Sequence, residues 1–239
     1  MSDPLILHIE TATDICSVAL SEGDRQLSLI ESGQERSHAS LLNTFIRESL
    51  SQAGRSMKDL HAVAVSKGPG SYTGLRIGVS TAKGLAYALE IPLIASGTLV
   101  NMASGVLKHV SIKELAGKHG ERLLLCPMLD ARRMEVYAGF YTLDGKTFRE
   151  VMADIISEES YRDILESHPV CFYGNGAAKC KAELKHPNAH FLDDIHPSAS
   201  SMILPVLRKF QKEEFEDVAY FEPYYLKDFI ATVPRKKVL

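Results

Sequence analysis

The segment from Lys67 to Lys83, KGPGSYTGLRIGVSTAK, constrains the fold more than any other part of this chain. It carries an apolar strand, residues 62–65, through a glycine-rich loop into a helix without an ordinary polar face. A surface helix sets an apolar stripe against a charged one. Here Leu75, Ile77, Val79, Leu85 and Leu89 spread around the axis, while Gly74, Gly78 and Ala82 recur every four residues as a smooth ridge. A glycine inside a helix costs about 1 kcal/mol relative to alanine. Close approach by another backbone is the commonest reason to keep one, so the spacing predicts a helix buried on more than one side.

A chain of 239 residues, 45% hydrophobic, has material for one large domain or two small ones. A formal charge of −3 opposes a nucleic-acid binder working alone and leaves RNA binding only jointly with a basic partner. The opening MSDPLILHIET has no basic segment leading into a long apolar run, and no window approaches 18 apolar residues, so no membrane span is expected. Cys16, Cys126, Cys171 and Cys180 show no CxxC pairing and read as reduced core thiols of a cytoplasmic protein.

Residues 5–11, 16–21 and 26–31 read as three strands joined by polar turns, and residues 38–53 as a helix capped by Ser37 and ended by Gly54. The strand at 62–65, the helix at 73–89, a strand at 93–95 and a helix at 98–108 follow. The lysine-rich, turn-prone stretch 108–120 is the expected boundary, dividing the chain into 1–108 and 109–239, with final segments packing back on the first part. Beyond it come a hairpin, 123–129 and 135–142, helices near 158–165 and 177–184 around a strand at 170–173, and a last helix at 198–210. Strands, then alternating helix and strand, given twice with a cleft between, predict the duplicated α/β architecture of the actin-like/ribonuclease H-like group.

Alternation places His8 and Glu10 on one face of the first strand and Leu5, Leu7 and Ile9 on the other. His8 reads as a hydrogen-bonded core histidine. Glu10 reads equally as a cleft residue or a buried remnant, and with Thr11, Asp130 and Arg132 it forms the candidate nucleotide edge. A nucleotide-binding hairpin of this architecture carries D-x-G-[ST]; the run Glu10-Thr11-Ala12-Thr13-Asp14 lacks that glycine. The loop 68–74 invites an anion at a helix N-terminus. It has neither a GK[ST] ending nor GxGxxG, and Pro69 removes a donor, so a tight turn is preferred. Arg76 and Lys83 share roughly one face and read as partner contacts. His186 and His190 have HxxxH spacing, but Pro187 and Asn188 between them favour a surface loop over a metal site.

ILHIETATDICSVAL, KGPGSYTGLRIGVSTAKGLA and LDARRMEVYAGFY, with FEPYYLKDFIATVPRKK at the end, closely resemble the bacterial TsaB (YeaZ) family. The resemblance runs the full length in order. It implies a non-catalytic subunit that pairs with a TsaD-type catalytic subunit and a TsaE-type ATPase in threonylcarbamoyl transfer to N6 of adenosine 37 in ANN-decoding tRNAs. It further implies tRNA contact only through the complex, no tightly bound cofactor, room for ATP or ADP at the heterodimer junction, and no metal. Glu10 stands where the family more often has Asp. The two first-domain helices would dock on the partner's equivalents over roughly 800 Å² per side. Interface candidates are His38, Leu42, Phe45, Ile46, Gly74, Arg76, Gly78, Ala82 and Lys83; Gly78→Leu is expected to abolish pairing with the fold intact, and the isolated chain to form a weak homodimer. Two rivals remain: an ATP-binding phosphotransferase or ATPase of the same fold, opposed by the missing D-x-G-[ST], and a metallopeptidase-like protein, opposed by the missing ligand set.

Overall fold

Short apolar runs punctuated by glycine and aspartate turns fold here as strands, and the longer periodic runs as helices. The computed structural model describes residues 3–32 and 38–227. Strands β1 (Leu5–Glu10), β2 (Cys16–Glu22) and β3 (Arg25–Ser32) form an antiparallel meander, turning between β2 and β3 at Gly23 with φ 59°. Helix α1 (His38–Gln52) closes at Gly54, φ 62°, where Arg55 N donates to Leu50 O at 2.9 Å. This is the left-handed stop that glycine permits. Ser37, the expected cap at its other end, lies outside the described residues. Strand β4 (Ala62–Ser66), helix α2 (Tyr72–Leu89), strand β5 (Leu93–Ser96) and helix α3 (Thr98–Val106) complete the first half. The sheet order is β3-β2-β1-β4-β5, with β1, β4 and β5 mutually parallel.

The stretch expected as a turn-prone boundary is a helix, α4 (Val110–His119), with Ile112 buried. Lys113, Glu114, Leu115 and Ala116 are strong helix formers, and the lysines mark its wet face rather than a linker. Then follow β6 (Leu124–Asp130), β7 (Glu135–Tyr141), β8 (Thr147–Ile155), α5 (Arg162–Ser167), β9 (Val170–Tyr173), α6 (Ala177–Cys180), β10 (Ala189–Leu192) and α7 (Ile203–Gln211). Their sheet, β10-β9-β6-β7-β8, repeats the first: an antiparallel meander, then two parallel strands. The duplicated α/β architecture is therefore present. Sequence reading missed β8 and β10. Both are sheet edges with much of their surface exposed or half-buried, so neither shows a strong apolar alternation. His190, expected in a loop, sits on β10 with its ring against His119.

One face of the first sheet, Leu5, Leu7, Ile9, Val18, Leu20, Val63 and Val65, carries α1 through Leu42, Ile46 and Leu50 and α2 through Val79, Ala82 and Ala86. The other face, Ile6, Ala62, Ala64 and Ile94, packs on Met202 and Val206 at the end of the chain's helical run. Helix α7 thus shares a core with the first sheet although it follows the second in sequence. Leu99, Met102 and Val106 of α3 share a further core with Leu125, Leu129, Tyr141 and Tyr173, which ties the halves together. All four cysteines are buried and unpaired.

The glycine ridge is covered, but by the chain itself. A Cβ on Gly74 would stand 2.1 Å from Thr11 O, and one on Gly78 2.2 Å from Thr11 Oγ1. Ala82 is buried on the same side. The expectation that Gly74, Gly78 and Ala82 meet a partner is corrected: the β1–β2 turn fills that groove. Leu42 and Ile46 are corrected likewise, being 1% exposed and fully used by their own sheet. Lys83 Nζ donates to Phe221 O at 2.8 Å and Ala219 O at 3.2 Å, so it fastens the chain's own C-terminal segment instead of a partner's carboxylate.

Gly78→Leu is accordingly a folding lesion. Even Gly78→Ala should lower stability by about 1–3 kcal/mol through overpacking. Gly84→Ala, with nothing within 4 Å of the added methyl, should raise it by about 0.5–1 kcal/mol through helix propensity. Urea unfolding of the two alanine variants checks the pair; equal effects would contradict this packing.

Candidate functional site

The closeness of α2 to the β1–β2 turn decides what the end of β1 can do. Glu10 and Thr11 are fully buried, and Glu10 Oε1 accepts from Ala12 N at 2.7 Å. Among the described residues, its Oε2 and the Thr11 hydroxyl lack a hydrogen-bond partner. Burial pushes the Glu10 carboxyl up to about 7, against the pull of the Ala12 amide. His8, one pleat back on the same face, bonds Ser21 Oγ at 2.9 Å through Nε2, and burial pulls its imidazole down to about 3. His8 is the bonded core histidine anticipated, and Glu10 is enclosed rather than open to a cleft.

The glycine loop is closed the same way. Ser71 N donates to Ala12 O at 2.7 Å, and a Cβ on Gly70 would fall 2.3 Å from that oxygen. Ser71 Oγ caps α2 by accepting from Gly74 N at 3.3 Å, and His38 Nε2 donates to Thr13 O at 2.6 Å. Both helix starts therefore clamp one turn. The loop amide best placed for an anion is spent on that turn, which supports the tight-turn reading.

Asp130 and Arg132 lie on the exposed β6–β7 turn, the counterpart of the first hairpin in the second half. Asp130 Oδ1 accepts from Arg132 N at 2.9 Å and pairs with Lys179 Nζ, which also reaches the Arg133 and Glu135 carbonyls. Gly174 and Gly176 let the next loop press on Met128 and Leu129, where Asn175 Oδ1 accepts from Asp130 N at 3.0 Å. Glu10 and Thr11 are thus enclosed while Asp130 and Arg132 are exposed, so the four do not form one open edge. The C-terminal segment joins the halves: Tyr224 N donates to Lys67 O at 2.7 Å, the Tyr225 ring packs on Tyr72, and Lys227 pairs with Glu135. Among the described residues, no three His, Cys, Asp or Glu side chains converge as a metal site would need, and no helix is long and apolar enough to cross a membrane.

What remains open on the first half is the opposite side of α2. Thr73, Arg76, Ser80, Gly84, Tyr87 and Ala88 are exposed, and Tyr87 is 78% exposed. They fall at helical spacing on one stripe, flanked by half-buried Ile77 and, on the adjacent α1, by half-buried Leu41 and Phe45. Arg76 supplies the only charge among those six residues, and its guanidinium lies over the Tyr72 ring, 5.4 Å from the centroid. Of the interface residues expected from sequence, Phe45 and Arg76 border this surface; His38 is half-buried against the turn. Exposed Ser80, Gly84 and Tyr87 were not among the residues expected from sequence, although a helical projection shows small residues at 80 and 84 opposite the first row.

Two sheets of identical strand order, each with helices against it and a connecting core between them, define a protein of the actin-like/ribonuclease H-like class. A family model described as TsaD: tRNA N6-adenosine threonylcarbamoyltransferase matches residues 31–234. The Escherichia coli K12 protein named tRNA threonylcarbamoyladenosine biosynthesis protein TsaB is 31% identical over 95% of this chain and 96% of its own. The structure of YeaZ from Pseudomonas aeruginosa superposes with a TM-score of 0.78 at 25% identity, covering 93% of this chain and all of that one. A Streptococcus suis tRNA N6-adenosine threonylcarbamoyltransferase is 35% identical over 62% of this chain and 47% of its own length. The chain belongs to the TsaB (YeaZ) family.

The two buried groups of β1 set a pH profile. From pH 4.5 to about 7 the unfolded chain ionises Glu10 while the folded chain keeps it neutral, so stability falls as pH rises, by about 1.4 kcal/mol per pH unit. From pH 6.5 down to about 3 the unfolded chain protonates His8 while the folded chain does not, so stability falls at the same slope as pH drops. The two contributions cancel between pH 4.5 and 6.5. Glu10→Gln should remove this plateau, leave stability rising with pH up to 6.5, and stabilise the chain at pH 7.5 by about 3 kcal/mol. Urea titrations from pH 4.5 to 8 read it, and an unaltered profile would contradict the enclosed carboxyl.

Proposed function

We propose that this chain is a non-catalytic subunit for threonylcarbamoyl transfer to N6 of adenosine 37 in ANN-decoding tRNAs, a cytoplasmic scaffold for a TsaD-type catalytic subunit. The observation that carries the reading is the outer stripe of α2: small, nearly uncharged and solvent-exposed, with α1 beside it. An exposed stripe with one charge, bordered by the apolar Ile77, Leu41 and Phe45, suits association, and Ser80, Gly84 and Ala88 let a second helix come close. The TsaD-type relative covers much of this chain, so the catalytic subunit presents helices of the same fold to this one. The enclosure of Glu10 supports the non-catalytic role, because a fully buried carboxyl bonded to its own turn reaches neither a nucleotide nor a solvated ion. ATP or ADP and a TsaE-type ATPase belong at the junction in this reading, and tRNA contacts the assembly as a whole. Without its partner, the stripe pairs weakly with a second copy.

Tyr87→Glu changes a side chain that is 78% exposed, and Gly84→Trp adds one at a position with nothing within 4 Å of a Cβ. Neither should lower the unfolding midpoint, and each should separate this chain from its TsaD-type partner in size-exclusion chromatography. Co-elution of both variants with the partner would overturn the assignment of this face.

A further inference from the structure

Away from the α1–α2 face, a cleft of about 750 Å³ opens between the halves, walled by α3, the β7–β8 hairpin and α7. That volume falls in the range of small-molecule sites. Its floor is largely apolar and closed: Leu99 and Ala103 from α3 and Tyr141 from β7 are at most 3% exposed. Half-buried Leu143 and Leu204 continue it towards the mouth. Tyr141 is 1% exposed, so its ring closes the floor of the cleft.

The rim decides the charge. Lys209 is paired with Glu214 at 3.5 Å, and Asp144 with Lys146 at 2.6 Å. Of the remaining charges lining the cleft, Lys67, Arg208 and Glu150 have no ion pair among the described residues. Lys67 also borders a second hollow with Glu216, Asp217 and Glu222, so Arg208 is the cation left uncompensated at the cleft. Arg208 comes from α7 and reaches the hairpin tip, 3.9 Å from where a Gly145 Cβ would stand, so its guanidinium hangs across the mouth. We propose that this cleft binds an amphipathic small molecule with an apolar body and one anionic head group, the body against Leu99, Ala103 and Leu204 and the head at Arg208. The walls come from both halves, so occupancy would also brace one half against the other. Nothing in this inference depends on the α1–α2 face, which packs on the opposite side of the first sheet.

The test uses the full chain with 1-anilinonaphthalene-8-sulfonate as fluorescent probe and octanoate, octanol and octylamine as competitors. One saturable site is expected, with octanoate displacing the probe at a concentration about tenfold below octylamine. Arg208→Glu, at an exposed position, should weaken probe binding about tenfold. Val100→Trp, whose 37%-exposed side chain lines the cleft, should abolish it. Tyr87→Glu, on the other face, should leave it unchanged. Non-saturable binding, equal displacement by octanoate and octylamine, or a signal unaffected by Arg208→Glu would each overturn the proposal. Because Arg208 packs in no core, its result stands even where Val100→Trp fails to fold.

Discussion

The contact between the start of α2 and the β1–β2 turn admits no side chain at three successive points. Gly70, Gly74 and Gly78 each leave room for a backbone or hydroxyl oxygen of Ala12 or Thr11 at a distance no Cβ tolerates. That closeness encloses Glu10 and turns the loop amide of Ser71 onto Ala12. It also fixes the rotation of α2 about its axis, and so selects which residues of the helix reach solvent. A helix carrying small residues on two opposite sides has two surfaces that accept close approach. The fold consumes one and leaves the other.

The duplicated sheets share a topology but not a fate. In the first half, α1 and α2 cover one face and α7, with Met202 before it, covers the other, so a late segment completes a core begun by the first strands. Residues 216–227 then return across the first half, from the bridge at Leu93 past Lys83 and Lys67, to pair with Glu135 of the second. The halves are thereby coupled through covalent return as well as through the α3 core. The cleft walled by α3, the β7–β8 hairpin and α7 lies among these connections, with Gly68 and Pro69 of the β4–α2 loop in its lining.

Much of this was legible in the residues. The meander, the first two helices, Gly54 as a stop and the repeated halves follow from apolar period and turn chemistry, since those elements bury one strong face each. Strands β8 and β10 were not legible, because an edge strand buries little and its composition is set by solvent. Helix α4 lies where a turn-prone boundary segment was expected, since lysine is common both on wet helix faces and in turns. The candidate surface was half legible: the sequence pointed to α2, but to the side that Thr11 of the same chain covers. Leu42 and Ile46 were chosen as anchors for being apolar, and being apolar they were taken by their own sheet.

The order of residues alone determined that α2 must be approached closely, that Glu10 has no phosphate turn beside it, and that the chain resembles the TsaB family along its length. Those are local statements about shape, spacing and composition. Only the tertiary structure decided that the close approach comes from Thr11 and Ala12 of the same chain, that Thr73, Ser80, Gly84 and Tyr87 are therefore the open stripe, and that Arg208 hangs over a cleft between the halves. A missing Cβ records that something lies near, whereas the identity of that neighbour depends on contacts between residues far apart in sequence.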